Sequence, residues 1–150
     1  MTHRFISVLI LSSGLIVGCG PGKPTDDPEV LKNVLISYFD GIKNKDFKKM
    51  TEATTDDFLL YEMGRVWNND SVFVNIKENL PYTVEYKFDN FKISVDNISG
   101  HMSYSNNGIF TFNDTTKQSF SWIESAAFRK SEEGWKMNFL HITERYEAKK

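Results

Sequence analysis

A carboxylate and an imidazole are predicted to lie opposite each other near the end of the sequence. If residues 131–134 form a tight hairpin loop, cross-strand counting places Glu124 directly opposite His141. The same counting gives three further pairs: Phe128 with Met137, Ala126 with Phe139, and Trp122 with Thr143. Since side chains alternate along a strand, all of these residues share one face, and their apolar majority makes it the inward face. Cβ atoms of opposed residues lie about 4.5–5.5 Å apart, so Glu124 and His141 could hydrogen-bond.

The predicted Glu124–His141 pair has two interpretations, and the sequence leaves both open. In an enzyme, the carboxylate would hold one imidazole tautomer and favour the charged ring, leaving the other nitrogen for a substrate. In a structural or ligand-contacting site, the two groups would satisfy each other, because unpaired buried polar groups are costly.

Aromatic residues are the second notable feature, with 12 Phe, 6 Tyr and 3 Trp in 150 residues. Some of them could line a cavity and stack on a flat or apolar ligand, although ordinary core packing would also account for them. The predicted pocket-lining residues are Tyr38, Tyr61, Trp67, Phe120, Trp122, Met137 and Phe139.

Several other kinds of site have little support in the sequence. The formal net charge of −2 gives no electrostatic reason to expect nucleic acid as a partner. Three histidines, one cysteine and no closely spaced carboxylate cluster argue against a metal site. Since no phosphate-binding glycine loop or nucleophile elbow occurs either, we predict no cofactor.

The hydrophobic pattern predicts three helices followed by a long antiparallel meander. Asp27 and Pro28 are typical of a helix start, and apolar residues then recur at three- and four-residue spacing as far as Ile42. We expect a short helix at 46–52, a turn at 54–57, a short strand at 58–63, and a helix from about residue 69 that ends before Pro81. From Tyr82 the period becomes two, predicting strands at about 82–95, 99–112, 118–130 and 135–145, with a β-bulge near residues 89–90. The predicted class is α+β.

Three segments in this order and spacing resemble the nuclear-transport-factor-2-like (NTF2-like) superfamily, and within it the SnoaL-like branch. They are LISYFDGIKNKDF, TDDFLLYEMGRVWNNDSVF and WIESAAFRKSEEGWKMNFLHIT, and the resemblance spans residues 28–145. It implies a cone-like fold with three N-terminal helices packed on a strongly bent antiparallel sheet, and a conical pocket between them. Many members of the superfamily form dimers through the sheet.

The resemblance also indicates which partners a catalytic final-strand histidine would need. Dehydratases and isomerases of the superfamily combine it with an aspartate and tyrosines from the early elements, for which this chain offers Tyr38, Tyr61 and Asp57. Asp57 is explained more simply as a cap of the turn before Phe58, so the catalytic set is incomplete. Trp67 precedes a helix cap where the resembled proteins have a lid-like segment, which makes it a candidate ligand contact.

The first 26 residues are predicted to export and anchor the protein. Residues 5–18 are apolar or small and uncharged, and they are too short to span a bilayer, as in a signal peptide. They end in Ile16-Val17-Gly18-Cys19, which resembles the bacterial lipobox and implies acylation of Cys19. The predicted organisation is a signal peptide at 1–18, a lipidated Cys19 with a Gly- and Pro-rich tether at 19–26, and a folded domain at 27–150. Gly20 lacks the aspartate that marks inner-membrane retention in enteric bacteria, so an outer-membrane or cell-surface location is expected.

Three functions are compatible with these features, and the sequence favours the first. A lipid-anchored module would bind a small apolar or aromatic ligand in the cone, without assured catalysis. An isomerase, dehydratase or cyclase would use Glu124 and His141. An envelope interaction module would act through its sheet, where Ser121, Ile123, Ser125 and Leu140 are small or apolar for outward positions and predict a homodimer.

Overall fold

A computed structural model of the chain describes residues 26–78, 82–113 and 115–146. Within these residues, three helices pack against one six-stranded sheet, which confirms the predicted α+β class. The elements in chain order are α1 (Pro28–Asn44), α2 (Phe47–Glu52), β1 (Thr54–Glu62), β2 (Arg65–Trp67), α3 (Asn69–Glu78), β3 (Tyr82–Val95), β4 (Ser99–Phe112), β5 (Thr116–Ser131) and β6 (Gly134–Glu144).

Helix α1 begins as predicted and packs its apolar stripe on the sheet. The Asp27 carboxylate accepts a hydrogen bond of 2.9 Å from the Glu29 backbone N–H, and Pro28 occupies the first turn, where it removes no intrahelical bond. Leu31, Leu35 and Tyr38 are fully buried against β3 and β6. The helix ends at Lys45, which adopts a left-handed conformation with φ 55°.

The sheet has the order β2-β1-β6-β5-β4-β3, and one of its pairings differs from the prediction. Strands β3 to β6 form the expected antiparallel meander, but β1 runs parallel to β6, so the sheet is mixed. Strand β1 also starts earlier than expected, because Thr54 belongs to it rather than to a turn. The Thr54 hydroxyl is satisfied by the Met50 carbonyl oxygen at 3.1 Å, which lets this polar residue be buried at a strand start.

Two bulges set which side chains face the helices. The bulge predicted near residues 89–90 is confirmed, since the β3–β4 register shifts between Asp89 and Lys92 and Asn90 has φ 59°. A second bulge lies in β6, because Phe128 pairs with Met137 whereas the preceding Ala127 already pairs with Phe139. Asn138 is therefore an extra residue, and the predicted register is wrong beyond this point.

The described residues begin at the end of the predicted tether, with Asp26. Asp26 accepts hydrogen bonds from the Lys130 ammonium at 2.6 Å and from the Trp135 indole N–H at 2.7 Å. These bonds attach the start of α1 to the β5–β6 hairpin. The predicted signal peptide and Cys19 lie outside the described residues. Within the described part of the chain, no helix is long and apolar enough to cross a membrane.

Candidate functional site

The principal cavity has a volume of about 980 Å³ and lies between the helices and the inner face of the sheet. This is at the upper end of the range for small-molecule pockets, which is about 300–1,000 Å³. Helix α1 contributes Phe39 and Ile42, and helix α3 contributes Val72 and Ile76. The strands contribute a longer set: Leu60, Glu62, Tyr82, Tyr86, Asn106, Phe110, Phe112, Phe120, Trp122, Glu124 and Ile142.

One wall of the cavity is a cluster of aromatic rings on β4 and β5. The rings of Phe120 and Trp122 are nearly parallel, at 17° with centroids 5.8 Å apart. Phe110 meets them edge-on, with centroids at 5.5 Å from Phe120 and 6.3 Å from Trp122. Such a wall offers both ring faces and ring edges to a flat or apolar ligand.

A polar pair lies at the inner end of the cavity. Asn106 and Glu124 are 1% and 2% exposed, and the Asn106 amide donates a hydrogen bond of 2.9 Å to Glu124 Oε1. Among the described residues, neither Glu124 Oε2 nor Asn106 Oδ1 has a hydrogen-bond partner. Buried polar atoms without partners are rare in folded proteins, so these two are candidates for contact with a ligand, as is the Tyr104 hydroxyl beside them, which also lacks a partner among the described residues.

Burial controls the ionisation of the groups around this pair. Loss of hydration raises the pKa of Glu124 to about 7, and the nearby Glu62 carboxyl adds to the shift, while Tyr104 and Asn106 oppose it. The Tyr104 hydroxyl lies near enough to lower this pKa, although it makes no hydrogen bond of acceptable geometry. Burial also raises the pKa values of Glu62 and Tyr86. Glu124 can therefore gain or lose a proton near neutral pH, whereas the tyrosines stay protonated.

His141 does not meet Glu124. It pairs with Ser125, while Glu124 pairs with Ile142, because the extra residue Asn138 shifts the register of β6. The His141 side chain is exposed beside Phe139, with ring centroids 6.5 Å apart, and reaches the cavity only at its rim. The structure thus offers Glu124 a partner in Asn106 rather than an imidazole.

The predicted pocket residues divide into three groups. Trp67, Phe120 and Trp122 line the cavity. Tyr38 and Met137 are fully buried in the core and are not part of the cavity wall. Tyr61 and Phe139 pack together on the outer face of the sheet, with centroids 5.3 Å apart, because both follow the shifted register.

Asp57, the remaining catalytic candidate, lies at the surface. It accepts a hydrogen bond from the Thr55 hydroxyl at 2.7 Å and forms an ion pair with Arg129 at 3.1 Å. These contacts lower the pKa of Asp57, with the Thr55 bond as the largest cause. It is therefore a surface carboxylate away from the cavity.

Sequence reasoning missed Asn106 and Glu62, although the sequence contains a signal for Asn106. Met102, Tyr104 and Asn106 occupy alternate positions of β4, all facing inward. A polar residue that continues an apolar alternation is a candidate for a buried polar site. Glu62 offers no comparable signal, because its position depends on the parallel pairing of β1 with β6.

The outer face of the sheet carries a second, shallower hollow of about 390 Å³. Its lining includes His101, Ser103, Ser125, Ala127 and Phe139. Exposed apolar side chains surround it on neighbouring strands, namely Leu59, Tyr61, Ile109 and Ile123, which are 39%, 39%, 47% and 55% exposed. Leu140, predicted on this face, is fully buried on the opposite face because of the β6 bulge.

No family model and no curated relative matches the sequence, but solved structures match it closely in fold. An NTF2-like protein from Cytophaga hutchinsonii has a TM-score of 0.68 at 11% identity, over 80% of this chain and 99% of its own. A Streptomyces avermitilis protein of the NTF2-like family, provisionally described as a dehydratase, has a TM-score of 0.68 at 13% identity, over 80% and 96%. The chain has the NTF2-like fold.

The same NTF2-like fold occurs in a protein with a different role. The S. rosetta CaMKII hub matches with a TM-score of 0.68 at 12% identity, over 84% of this chain and 100% of the hub chain. At such low identities the likeness concerns the fold alone. The NTF2-like fold is compatible with unrelated functions, so function has to be argued from the site.

Proposed function

We propose that this protein is a lipid-anchored binding protein whose cavity holds a small ligand with an apolar or aromatic body. The observation that carries the proposal is the cavity itself, with about 980 Å³ of space, an aromatic wall and a buried polar pair at its inner end. Apolar walls with a few convergent polar groups are typical of ligand sites, because the walls supply affinity and the polar groups fix orientation.

Ligand binding can be tested with a matched pair of variants. Trp122 faces the cavity, whereas its neighbour Ile123 is exposed on the outer face, so the two positions differ mainly in the side of the sheet they occupy. Native mass spectrometry of the full-length protein, purified gently in mild detergent, should reveal a small mass that is lost on denaturation. That mass should be absent from Trp122→Ala and retained in Ile123→Ala. An apo spectrum for all three proteins would instead favour an interaction module.

The anchor is supported by the sequence around Cys19. An uncharged apolar run followed by Val17-Gly18-Cys19 is the pattern that precedes lipid-modified cysteines. Two or three acyl chains would hold the protein firmly in a bilayer of the bacterial envelope, since each buried methylene contributes about 0.8 kcal/mol. Cys19→Ala should move the protein from the membrane fraction to the soluble fraction of its host. An unmodified Cys19 in the mass spectrum of the wild-type membrane fraction would contradict this proposal.

We also propose a homodimer that forms through the outer face of the sheet. Its support is the exposed apolar set around Phe139 and Ile123, since monomeric proteins rarely expose large contiguous apolar patches. The S. rosetta CaMKII hub has the same fold, which is compatible with self-association of this fold.

A second candidate function is an isomerase-type reaction, which the pKa of about 7 for Glu124 favours. A carboxyl with such a pKa at the inner end of the cavity could take a proton from a substrate and return it, without help from His141. In that case Glu124→Gln should retain ligand binding but abolish turnover of the compound identified by mass spectrometry. A ligand that leaves the wild-type protein chemically unchanged would rule this candidate out.

A further inference from the structure

We infer that the cavity is built for an organic cation, with an ammonium group held at the inner end by Glu124 and Asn106 and an apolar body against the aromatic wall. This inference rests on the proposed binding function and specifies its ligand class. It follows from the unpaired atoms of the cavity, from the charges around it and from the nature of its walls.

The unpaired atoms at the inner end are hydrogen-bond acceptors. The Asn106 amide group already donates to Glu124 Oε1, which leaves Asn106 Oδ1 and Glu124 Oε2 without partners. Both side chains are at least 98% buried, so bulk water does not compensate these atoms. A primary or secondary ammonium group carries two or three N–H donors and can bond both oxygens at once. Charge-assisted bonds of this kind are about twice as strong as neutral ones.

Carboxyl groups outnumber basic groups among the described residues that line the cavity. Glu62, Glu124 and Glu144 line it, whereas none of the described lining residues is Lys or Arg. No described Lys or Arg forms an ion pair with Glu62 or Glu124 either. The pKa of each carboxyl is raised because the ionised form is poorly hydrated there and has no cation beside it. A bound ammonium group would supply the missing positive charge.

Two basic side chains lie near the aromatic residues without entering the cavity. Lys45 lies over the Tyr82 ring and Arg65 over the Trp67 ring, each 5.7 Å from the ring centroid. Neither residue lines the cavity. In both contacts the cation lies over a ring face at a distance typical of a cation–π interaction.

The aromatic walls favour a cation over a neutral or anionic ligand of the same shape. Trp122, Phe110 and Tyr86 present ring surfaces to the cavity, and ring faces attract positive charge. An anion would meet the Glu124 carboxylate and the Asn106 amide oxygen at the inner end and would be repelled by both. A neutral hydroxyl could donate one bond but would leave one of the two acceptors unpaired. The unpaired indole N–H of Trp67 remains available to an acceptor atom on the ligand body.

The affinity for a cation should depend on pH, and the groups around Glu124 determine whether it rises or falls. Glu62 from β1, Tyr86 from β3, and Tyr104 and Asn106 from β4 interact directly with Glu124. Behind them, Tyr38 from α1 and Tyr82 from β3 interact with these tyrosines, and Glu144 and His141 lie only at the cavity rim. Burial dominates and raises the pKa of Glu124 to about 7, so the carboxyl is mostly protonated at pH 6 and mostly ionised at pH 8. Affinity for a cation should therefore rise about tenfold between these pH values. A neutral ligand should show no such rise.

The test compares two probes of nearly equal size, 2-naphthylmethylamine and 2-naphthylmethanol, by isothermal titration calorimetry on the full-length protein. The amine should bind at least tenfold more tightly than the alcohol at pH 8 and should release protons at pH 7, seen as a buffer-dependent heat. Glu124→Gln should remove the preference for the amine and its pH dependence. Glu132→Gln, at an exposed turn position, should preserve both.

The possible outcomes separate the inference from the function on which it rests. Equal binding of amine and alcohol, or amine binding that is independent of pH, would overturn the cation inference and leave the binding function intact. The wild-type comparison decides this even if Glu124→Gln fails to fold. Binding of neither probe, combined with an apo native mass spectrum, would overturn the proposed function as well.

Discussion

Gly108 on β4 lies directly against the indole of Trp122 on β5. A Cβ atom added at Gly108 would come within 2.9 Å of Trp122 Cζ3 and within 2.9 Å of Phe110 Cε2. Real side chains essentially never approach this closely, so both rings occupy space that only glycine leaves open. The absence of a side chain at residue 108 is thus what allows the aromatic wall to form in its present position.

Gly108→Ala should therefore disturb the cavity from within the sheet. Displacing two packed rings should lower the free energy of unfolding by about 1–3 kcal/mol, as for other overpacked sites. It should also weaken ligand binding, because Trp122 would move toward the cavity. Chemical denaturation and calorimetry would measure the two effects. Ile109→Ala, at the next position of β4, which is exposed, should leave ligand affinity unchanged. Unchanged affinity in Gly108→Ala as well would contradict the proposed role of the contact between Gly108 and Trp122.

The stability of the protein should fall as pH rises from about 4.5 to 7, because Glu124 binds its proton more tightly in the folded state. Its pKa is raised from 4.5 to about 7, so its contribution is fully present below pH 4.5 and is lost as the pH rises through 7. The loss is on the order of 2–3 kcal/mol. The pKa of Glu62 is raised by burial too and acts in the same direction.

Glu124→Gln resembles the protonated carboxyl and should remove most of this pH dependence. Urea denaturation at pH 5, 6, 7 and 8 should show that the variant gains stability relative to the wild type as the pH increases. Glu132→Gln serves as the control, since Glu132 is exposed in the β5–β6 turn. If the free energy of unfolding changed with pH in the same way for Glu124→Gln and the wild type, Glu124 would not be protonated in the folded state near neutral pH.

The sequence predicted the helices and the meander because their signals are local. The Asp27-Pro28 start of α1 and the period-two pattern from Tyr82 onward each arise from neighbouring residues, and both are confirmed. The bulge in β3 was predictable for the same reason, since the alternation of apolar residues changes phase near residue 90.

The register of β6 could not be predicted from its own residues. Phe139 and Leu140 are adjacent and both apolar, so local hydrophobicity supports either one as the inward residue. The choice depends on β1, where Leu59 pairs with Phe139 and the buried Leu60 pairs with Leu140. This pairing is parallel and connects residues about 80 positions apart, which leaves no local signal. The predicted Glu124–His141 opposition fails for this reason, whereas Glu124 itself was identified because it interrupts an inward apolar alternation.

His141→Ala should leave ligand affinity within about twofold of the wild type, because the imidazole lies on the outer face and outside hydrogen-bond reach of Glu124. Trp122→Ala, by contrast, removes part of the cavity wall and should abolish measurable binding. Calorimetry with the compound found by mass spectrometry would compare the two variants. A large loss of affinity in His141→Ala would instead show that this histidine contributes to ligand binding.

Ile123→Lys should convert the proposed dimer into a monomer. Ile123 is 55% exposed on the outer face near Ser125, so a lysine fits the monomer without strain but would be buried without a partner in the dimer. Sedimentation equilibrium at micromolar concentration would measure the change. Lys117→Glu, farther along β5 toward its exposed start, provides a surface-charge control. A wild-type monomer under these conditions would contradict the proposed interface directly.

Asp26→Asn should loosen the attachment of the start of the described domain to the β5–β6 hairpin. The Asp26 carboxylate binds both the Lys130 ammonium and the Trp135 indole, and these bonds lower its pKa, with the Lys130 bond as the largest cause. Its stabilising effect is therefore present above its ordinary pKa of 3.8 and is lost as the pH falls through the lowered value. The variant should unfold at a lower temperature than the wild type at pH 7, and the difference should shrink as the pH falls below 3.8 and Asp26 becomes protonated. Trp135 is only 8% exposed, so its fluorescence should shift to longer wavelength if the contact opens.

Asp56→Asn, an exposed position at the start of β1, should show neither effect. Identical melting temperatures for Asp26→Asn and the wild type at pH 7 would mean that Asp26 does not stabilise the domain, which would then begin at Asp27.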